Sequence, residues 1–475
     1  LYSVLTNLAR ITDPSLSAEQ RKVAMRTFAE ELDWSPNYDV RGTFGIDAVS
    51  GHLVVEHGLA NSATISFLKA PYRASDLDPM QLRALLAISY NNLIEWHIFV
   101  SESDVRWINN LSDRPHGDVG DLIFRHSSTD FSRYLAASYL EELTDSGNYR
   151  RTLKACDDAL LQVVSRWKLL LKADLPNAAN RNISALFNAL ILVRGCEDHR
   201  DQDRPYTSNR VLLQALDVKE GATIDVVSVL VDALQRTGID SSLFEFVSLD
   251  AITPFRQLDR ATATNLFRDM YAPRDAAYDF NFALMSKHAL SRIYEKYVNL
   301  LRTEEHSQTS FLGSMPDEIS TRKSGSIYTP QFIAGFFARY LRENTTPRTF
   351  RDLCSIDPAC GSGIFLRTLL ELQCDPLTAG TTSASINRAF LQTKGVDNDP
   401  NACEATRLSL ALLHLVATGR LPQATDIKVV NDDAIAAATD GRLLAESFSA
   451  VITNPPWVKL DNLTAVERDV YRRYL

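Results

Sequence analysis

The sequence predicts an α/β fold at its C-terminal end, preceded by a helical middle and an α+β N-terminal part. Three observations predict this. From Ile327 onward helix and strand patterns alternate, which is how a parallel sheet with crossover helices reads in sequence. Between about Ser127 and Glu304 apolar residues recur at three- and four-residue spacing, the stripe that packed helices bury. Ahead of that, short alternating or apolar runs flank one helical pattern, as in a small mixed sheet. At 475 residues the chain exceeds one ordinary domain, and boundaries are placed at 1–125, 126–315 and 316–475.

In the N-terminal part a helix is expected over Ser17–Leu32. Strands are expected at Leu53–Glu56, Ala63–Leu68 and Trp96–Val100, with a helix at Met80–Asn92 between the last two. The middle helices are Phe131–Leu143, Thr152–Lys172, Ile183–Cys196, Ile224–Gln235, Ala261–Met270 and Ala283–Leu301. Thr303–Ser324, polar and broken by Gly313 and Pro316, reads as a linker. The chain starts at Leu1 and not at a methionine, and the helix pattern Thr464–Tyr474 ends without a cap. A piece of a longer product is therefore expected, with further strands of its sheet outside it.

The 45% hydrophobic and 23% charged fractions are those of a soluble globular protein. A net charge of −9 gives no global nucleic-acid footprint and leaves local basic grooves open. The six cysteines form no CxxC pair, so reduced thiols and a cytoplasmic location are expected, with no metal site and no disulfide framework. No run of about 18 apolar residues and no leader pattern is present, so neither a membrane span nor a signal peptide is expected.

Chemistry concentrates in the last third. Val451–Trp457 places an Asn-Pro-Pro-Trp turn directly after a β-branched run. The Asn454 side-chain oxygen and the Pro455 carbonyl can both accept hydrogen bonds from one planar NH₂ group. Pro455 and Pro456 stiffen the turn, and Trp457 offers a stacking face. Such a turn suits an amino nitrogen whose lone pair is drawn into a π-system, as in adenine or a side-chain amide. Upstream, Asp357-Pro358-Ala359-Cys360-Gly361-Ser362-Gly363 joins a short strand to a helix beginning near Gly363. Gly361 and Gly363 permit close backbone approach to a ligand, although a GxG alone is also a plain strand-to-helix turn. Asp397 ends the next strand at a spacing that suits one βαβ crossover, placed to accept the hydroxyls of a ribose. Asp399 reads as a helix cap, and Asp433, after the strand Ile427–Val430, is placed to bind an adenine amino group or sits in a solvated loop.

Asp357–Gly363, Asp397, Asp433 and Asn454–Trp457 resemble motifs I, II, III and IV of the S-adenosylmethionine-dependent amino-methyltransferases of DNA. Ser324–Pro330, with Tyr328, Thr329 and Pro330, resembles their motif X. The order X, I, II, III, IV is that of the adenine-N6 γ class, as in type I modification subunits and type IIG restriction-modification enzymes. The resemblance implies a Rossmann-like fold and S-adenosyl-L-methionine as cofactor. It implies that Tyr328, Thr329, Pro330 and the loop of Asp357, Pro358, Ala359, Cys360, Gly361 and Gly363 hold the methionine part, Asp397 the ribose and Asp433 the adenine ring. Asn454, Pro455, Pro456 and Trp457 would hold a flipped-out adenine of double-stranded DNA. Restriction-modification or phage-defence subunits are the expected partners. Two earlier segments, Ala185–Asp198 and Tyr278–Tyr297, are similar to helices ahead of motif X in that family, and as amphipathic helices both also read as packing elements.

Type IIG enzymes carry a PD-(D/E)xK nuclease domain at their N-terminus, and residues 1–125 resemble it in element placement. Its metal ligands are incomplete here: Glu56 is followed by His57-Gly58, and Lys69 by its position lacks an acid two residues before it. Asp39, Asp47 and Glu56 remain as a variant set, and a nuclease-like domain without cleavage activity is the expectation. Two other functions stay open: amino-methylation of protein glutamine or RNA, and a non-catalytic DNA-binding scaffold of a defence complex.

Overall fold

In a computed structural model of the chain, the structure describes residues 2–40, 46–57, 61–112, 118–123, 128–146, 149, 151–200, 210–239, 246–274, 276–282, 284, 329, 331–375, 381–443, 448–455, 468 and 472. It forms two compact units, one from 1–160, 197–211 and 267–289, the other from 161–196, 212–266 and 290–475. The expected helices Ala283–Leu301 and Thr464–Tyr474 and the linker lie largely or wholly outside the described residues.

The first unit begins with α1 (Tyr2–Thr12) and α2 (Ala18–Glu30), and Ser17 and Gln20 close a reciprocal capping box at the start of α2. Six strands follow: β1 (Ser35–Val40), β2 (Val49–His57), β3 (Asn61–Leu68), β4 (Trp96–Val100), β5 (Asp104–Asn109) and β6 (Asp118–Ile123). They hydrogen-bond in sequence order, and only β3 and β4 run parallel, because α3 (Pro79–Asn91) carries the chain across between them. Both faces are covered. Ile65 and Phe67 of β3 pack with Met25 and Phe28 of α2, whereas Leu68 of β3 and Phe99 of β4 pack with Leu82, Leu85 and Leu86 of α3.

The α3 face also buries a polar chain that no periodicity announces. His52 Nδ1 lies 2.7 Å from Ser66 Oγ, Ser66 Oγ 2.7 Å from His97 Nε2, and His97 Nδ1 2.8 Å from Ser89 Oγ. Burial pushes His52 down to about 3 and His97 well below the usual histidine value, so both rings are neutral hydrogen-bonding groups of the core.

The helical stretch comprises α4 (Ser128–Leu135), α5 (Ala137–Asp145), α6 (Cys156–Asp174), α7 (Asn180–Arg200), α8 (Val211–Asp217), α9 (Val226–Thr237) and α10 (Arg260–Asp269). A two-stranded ribbon of β7 (Thr223–Ile224) and β8 (Leu258–Asp259) flanks α9. The helix expected over Phe131–Leu143 is broken at Ala136, which is extended. Tertiary contacts cause the break: the Leu135 carbonyl accepts from the Trp34 indole at 2.8 Å, and the Ala137 amide donates to the Leu32 carbonyl at 3.1 Å. In the Arg194–Asp198 segment of α7 the acids are structural. Glu197 accepts from the Tyr271 hydroxyl at 2.9 Å and the Val211 amide at 3.2 Å, and Asp198 accepts from the Phe282 amide at 2.8 Å.

The C-terminal part runs α11 (Gln331–Glu343), α12 (Pro347–Arg351), β9 (Ser355–Asp357), α13 (Ile364–Gln373), α14 (Ser383–Leu391), β10 (Thr393–Asp397), α15 (Pro400–Thr418), β11 (Lys428–Asn431), α16 (Ala434–Thr439) and β12 (Ala450–Val451). The four strands pair in the order β11-β10-β9-β12, all parallel, as the alternating pattern predicts. Gly195 of α7 meets this part closely: a Cβ there would stand 2.7 Å from Leu412 Cδ2 on α15, so the helices cross where a side chain is missing.

A candidate active site at the ends of the parallel strands

Parallel strands put their C-terminal ends on one side; the chain steps from β9 to β10 and β11 and then returns to β9's other side as β12, the reversal of strand order at which an open sheet leaves a crevice. Asp357 ends β9, Asp397 ends β10, Asn431 ends β11 with Asp432 and Asp433 after it, and Thr453–Pro455 follow β12. The register ties the two halves of the site together. β12 pairs with β9 through Ala450–Ser355 and Val451–Ile356, and the Ile452 amide donates to the Ile356 carbonyl at 3.0 Å. The Asn454 turn therefore leaves the sheet next to the loop that begins at Asp357.

That loop is held from several directions. Its Cys360 amide donates to the Val396 carbonyl at 2.9 Å, and the Gly361 amide donates to Asp397 Oδ2 at 2.9 Å. The Gly361 carbonyl accepts from the Thr406 hydroxyl of α15 at 2.7 Å. Gly361 and Gly363 have φ of +53° and +82°, the region that glycine alone enters cheaply. They differ in surroundings: a Cβ on Gly361 would meet nothing within 4 Å, whereas one on Gly363 would stand 2.8 Å from Thr406 Cγ2. The loop is open at Gly361 and closed at Gly363, where α13 begins. Pro358 and Ala359 are half-buried within it.

Asp357 is 1% exposed and accepts from the Ala359 amide at 3.1 Å. Burial pushes its carboxyl up to about 7 and the Asp397 charge adds to the rise, with the Thr453 hydroxyl and the Ala359 amide pulling the other way. The same environment keeps nearby thiols protonated: burial raises Cys360 well above the ordinary value and Cys403 to about 12.

The Asp397 carboxylate accepts from Gly361 through Oδ2 and from the Asp399 amide through Oδ1 at 2.9 Å; each oxygen keeps a second lone pair that suits a hydroxyl donor. Asp399 caps α15 by accepting from the Asn401 amide at 2.9 Å, as expected. Asp433 has a capping role that the sequence reading did not include. Its Oδ1 accepts from the Ile435 and Ala436 amides, which fixes it at the start of α16, after the edge strand β11, and Asp432 pairs with Arg442.

Asn454 Nδ2 donates to Thr329 Oγ1 at 3.1 Å, joining residues from opposite ends of the C-terminal part. Pro455 is exposed next to it. Tyr328, Pro330, Pro456 and Trp457 lie outside the described residues. Sequence reasoning missed Thr406 and Thr453, threonines with no motif spacing to mark them. It also missed Gly395, where a Cβ would meet Leu366 Cδ1 at 3.0 Å and Cys360 Sγ at 3.1 Å. A glycine inside a strand is the one local signal that pointed to such an approach.

The variant metal set of the N-terminal part is not assembled. Asp47 lies in the turn before β2 and Glu56 near the far end of that strand, about 23 Å along it from Val49 at about 3.3 Å per residue. Phe67, two residues before Lys69, is fully buried in the core. Among the described residues no group of three His, Cys, Asp or Glu side chains is placed to hold a metal ion, and no helix is long and apolar enough to cross a membrane.

Residues 311–474 match the family model described as N-6 DNA Methylase, which bears out the resemblance carried by the motifs of that segment. The chain is similar to three solved structures. One is a cryo-electron-microscopy structure of a DrdV–DNA complex, with 13% identity, a TM-score of 0.38, and coverage of 99% of this chain and 45% of that one. Another is the type IIL restriction-modification enzyme MmeI in complex with DNA, with 15% identity, a TM-score of 0.43, and coverage of 66% and 44%. The third is the type IIG restriction endonuclease BpuSI, with 13% identity, a TM-score of 0.32, and coverage of 100% and 46%. The chain spans less than half the length of each. A search of curated proteins finds no match.

Proposed function

We propose, from the N-6 DNA methylase match of residues 311–474, that the chain is the catalytic part of a site-specific DNA methyltransferase acting on N6 of adenine in double-stranded DNA. The observation that carries this is the β9–β12 pairing, which sets an amino-holding turn beside a two-glycine loop. The loop fits an S-adenosylmethionine cofactor: its outer face is open at Gly361, its backbone is held by Asp397 and Thr406, and Asp397 keeps lone pairs for ribose hydroxyls. Asp357, whose carboxyl is half protonated near neutrality, adds a group that both donates and accepts. When bound, S-adenosylmethionine supplies an activated methyl group.

The residues of this chain then do the positioning. Asn454 Oδ1 and the Pro455 carbonyl accept the two protons of a flipped-out adenine amino group, which favours the tetrahedral nitrogen whose lone pair can attack. Trp457 would stack on the base. No base is needed at the start, because the nitrogen loses its proton only after it has become cationic. A restriction-modification or phage-defence setting, with DNA and other subunits as partners, is part of the same reading. So is an N-terminal nuclease-like domain, residues 1–125, that contacts DNA or a partner without cutting.

The test is tritium transfer from labelled S-adenosylmethionine to duplex DNA. Wild-type protein is expected to label adenine. Asn454→Ala is expected to abolish transfer while binding cofactor within about threefold of wild type, since Asn454 serves the acceptor side. Near-normal labelling by that variant, or labelling of RNA or protein in place of DNA, would overturn the assignment.

A further inference from the structure

We propose that Thr329 orients the side-chain amide of Asn454 and so couples cofactor occupancy to capture of the acceptor amino group; this rests on the methyltransferase reading above. An amide has a donor end and an acceptor end, and only Oδ1 can receive a hydrogen bond from an NH₂ group. Turned over about its last torsion, Asn454 would meet the substrate with the wrong end. Donation from Asn454 Nδ2 to Thr329 Oγ1 sets the choice: it holds the donor end at Thr329 and directs the carbonyl corner the other way.

The two residues stand next to elements that pack against each other. Thr329 is buried, two residues before α11. Ile452, two residues before Asn454, packs in one apolar cluster with Ala334 of α11 and with Ile364 and Phe365 at the start of α13. Helix α11, the start of the glycine loop's helix and the strand end that leads into the Asn454 turn thus share one set of contacts. A one-residue slip of either side would break the contact.

A hydroxyl has one proton to give and two lone pairs that accept. While Thr329 accepts from Asn454, its own proton is directed elsewhere, and a carboxylate such as that of the cofactor's methionine part is a natural recipient. Once that proton is committed to an anion, Thr329 can no longer donate to Asn454 Oδ1. The inverted amide then has no hydrogen bond at Thr329, and the productive orientation is selected. Thr329 is in this sense a positioning residue, acting on the acceptor through Asn454.

The experiment compares Thr329→Val, which keeps the shape and removes the hydroxyl, with Thr329→Ser, which keeps the hydroxyl. Three quantities are read on the full-length protein: the calorimetric Kd for S-adenosylmethionine, the thermal midpoint, and kcat and KM for methyl transfer to unmethylated genomic duplex DNA. Thr329→Val should lower kcat about tenfold at saturating cofactor, the loss typical of one hydrogen bond, with an unchanged thermal midpoint. Thr329→Ser should restore kcat to within about twofold. A Thr329→Val enzyme with weaker cofactor binding but full kcat at saturation would overturn the proposal and leave Thr329 a cofactor ligand only. A Thr329→Ser enzyme as slow as the valine variant would overturn it too, by tracing the effect to packing. Wild-type protein that methylates no duplex DNA would instead overturn the methyltransferase reading, a separate outcome.

Discussion

The two sheets bury polar side chains in opposite ways. In the six-stranded sheet His52, Ser66, His97 and Ser89 form a chain inside the layer, each meeting another side chain of the same core, with both imidazoles held neutral. In the parallel sheet the polar residues stand at strand ends and are held by loop amides and threonine hydroxyls, and Asp357 is held with its carboxyl raised to about 7. A polar group satisfied within a core specifies that core; one held at a strand end, with its protonation shifted, is available to a ligand. On the proposed function, the difference separates a structural sheet from a functional one.

The glycine loop tests the functional side most severely. Gly363→Ala forces a methyl group to within 2.8 Å of Thr406 at a φ of +82°, and cofactor binding should be lost in calorimetric titration. Gly361→Ala, at +53° with open space around it, should bind more weakly by only about tenfold. Equal behaviour of the two would mean that Thr406 does not clamp the loop.

A pH titration of stability sets the two regions against each other. Asp357 has its carboxyl raised from 3.8 to about 7 by folding, so the folded state holds a proton that the unfolded state releases. Its contribution is therefore full below about 4 and is lost as pH rises toward 7, by up to about 4 kcal/mol at about 1.4 kcal/mol per unit. His52, lowered from 6.5 to about 3, does the reverse: its contribution is full above 6.5 and is lost as pH falls toward 3. In urea unfolding at a series of pH values, Asp357→Asn should remove the loss on the rising side and leave the acid side unchanged. An unaltered profile would show that Asp357 is not buried as described.

The smallest effect on cofactor affinity should come from His97→Ala. It leaves Ser66 and Ser89 without their shared partner and should cost about 3 kcal/mol of stability in the same urea assay. Cofactor affinity should stay within twofold. A loss of affinity in a variant that remains folded would mean that the histidine chain is not merely structural.

Much of the site was legible because its signals are local. Aspartates at strand ends, glycines at positive φ and an Asn-Pro-Pro turn are each dictated by what a few consecutive residues must do, and Asp399 was recognised as a cap on the same grounds. Helices α2 and α3 were legible for a similar reason, since Ser17 and Asp78 start them with capping boxes. What stayed hidden was set by partners far away in sequence. β1 carries Pro36 and no clean alternation, and it is a strand because β2 pairs with it around a register shift. The break at Ala136 belongs to Trp34 and Leu32, and the capping role of Asp433 became visible only with α16 in place.

By itself the sequence determined the order of the two-glycine loop, the strand-end acids and the Asn-Pro-Pro turn and the alternation that makes their strands parallel, because periodicity and turn chemistry act over a few residues. Only the tertiary structure decided that β12 lies against β9, that Thr406 closes the loop at Gly363, and that Thr329 receives the Asn454 amide. Strand pairing and side-chain hydrogen bonds depend on which surfaces meet after the chain has folded, and residues more than a hundred positions apart carry no local mark of meeting.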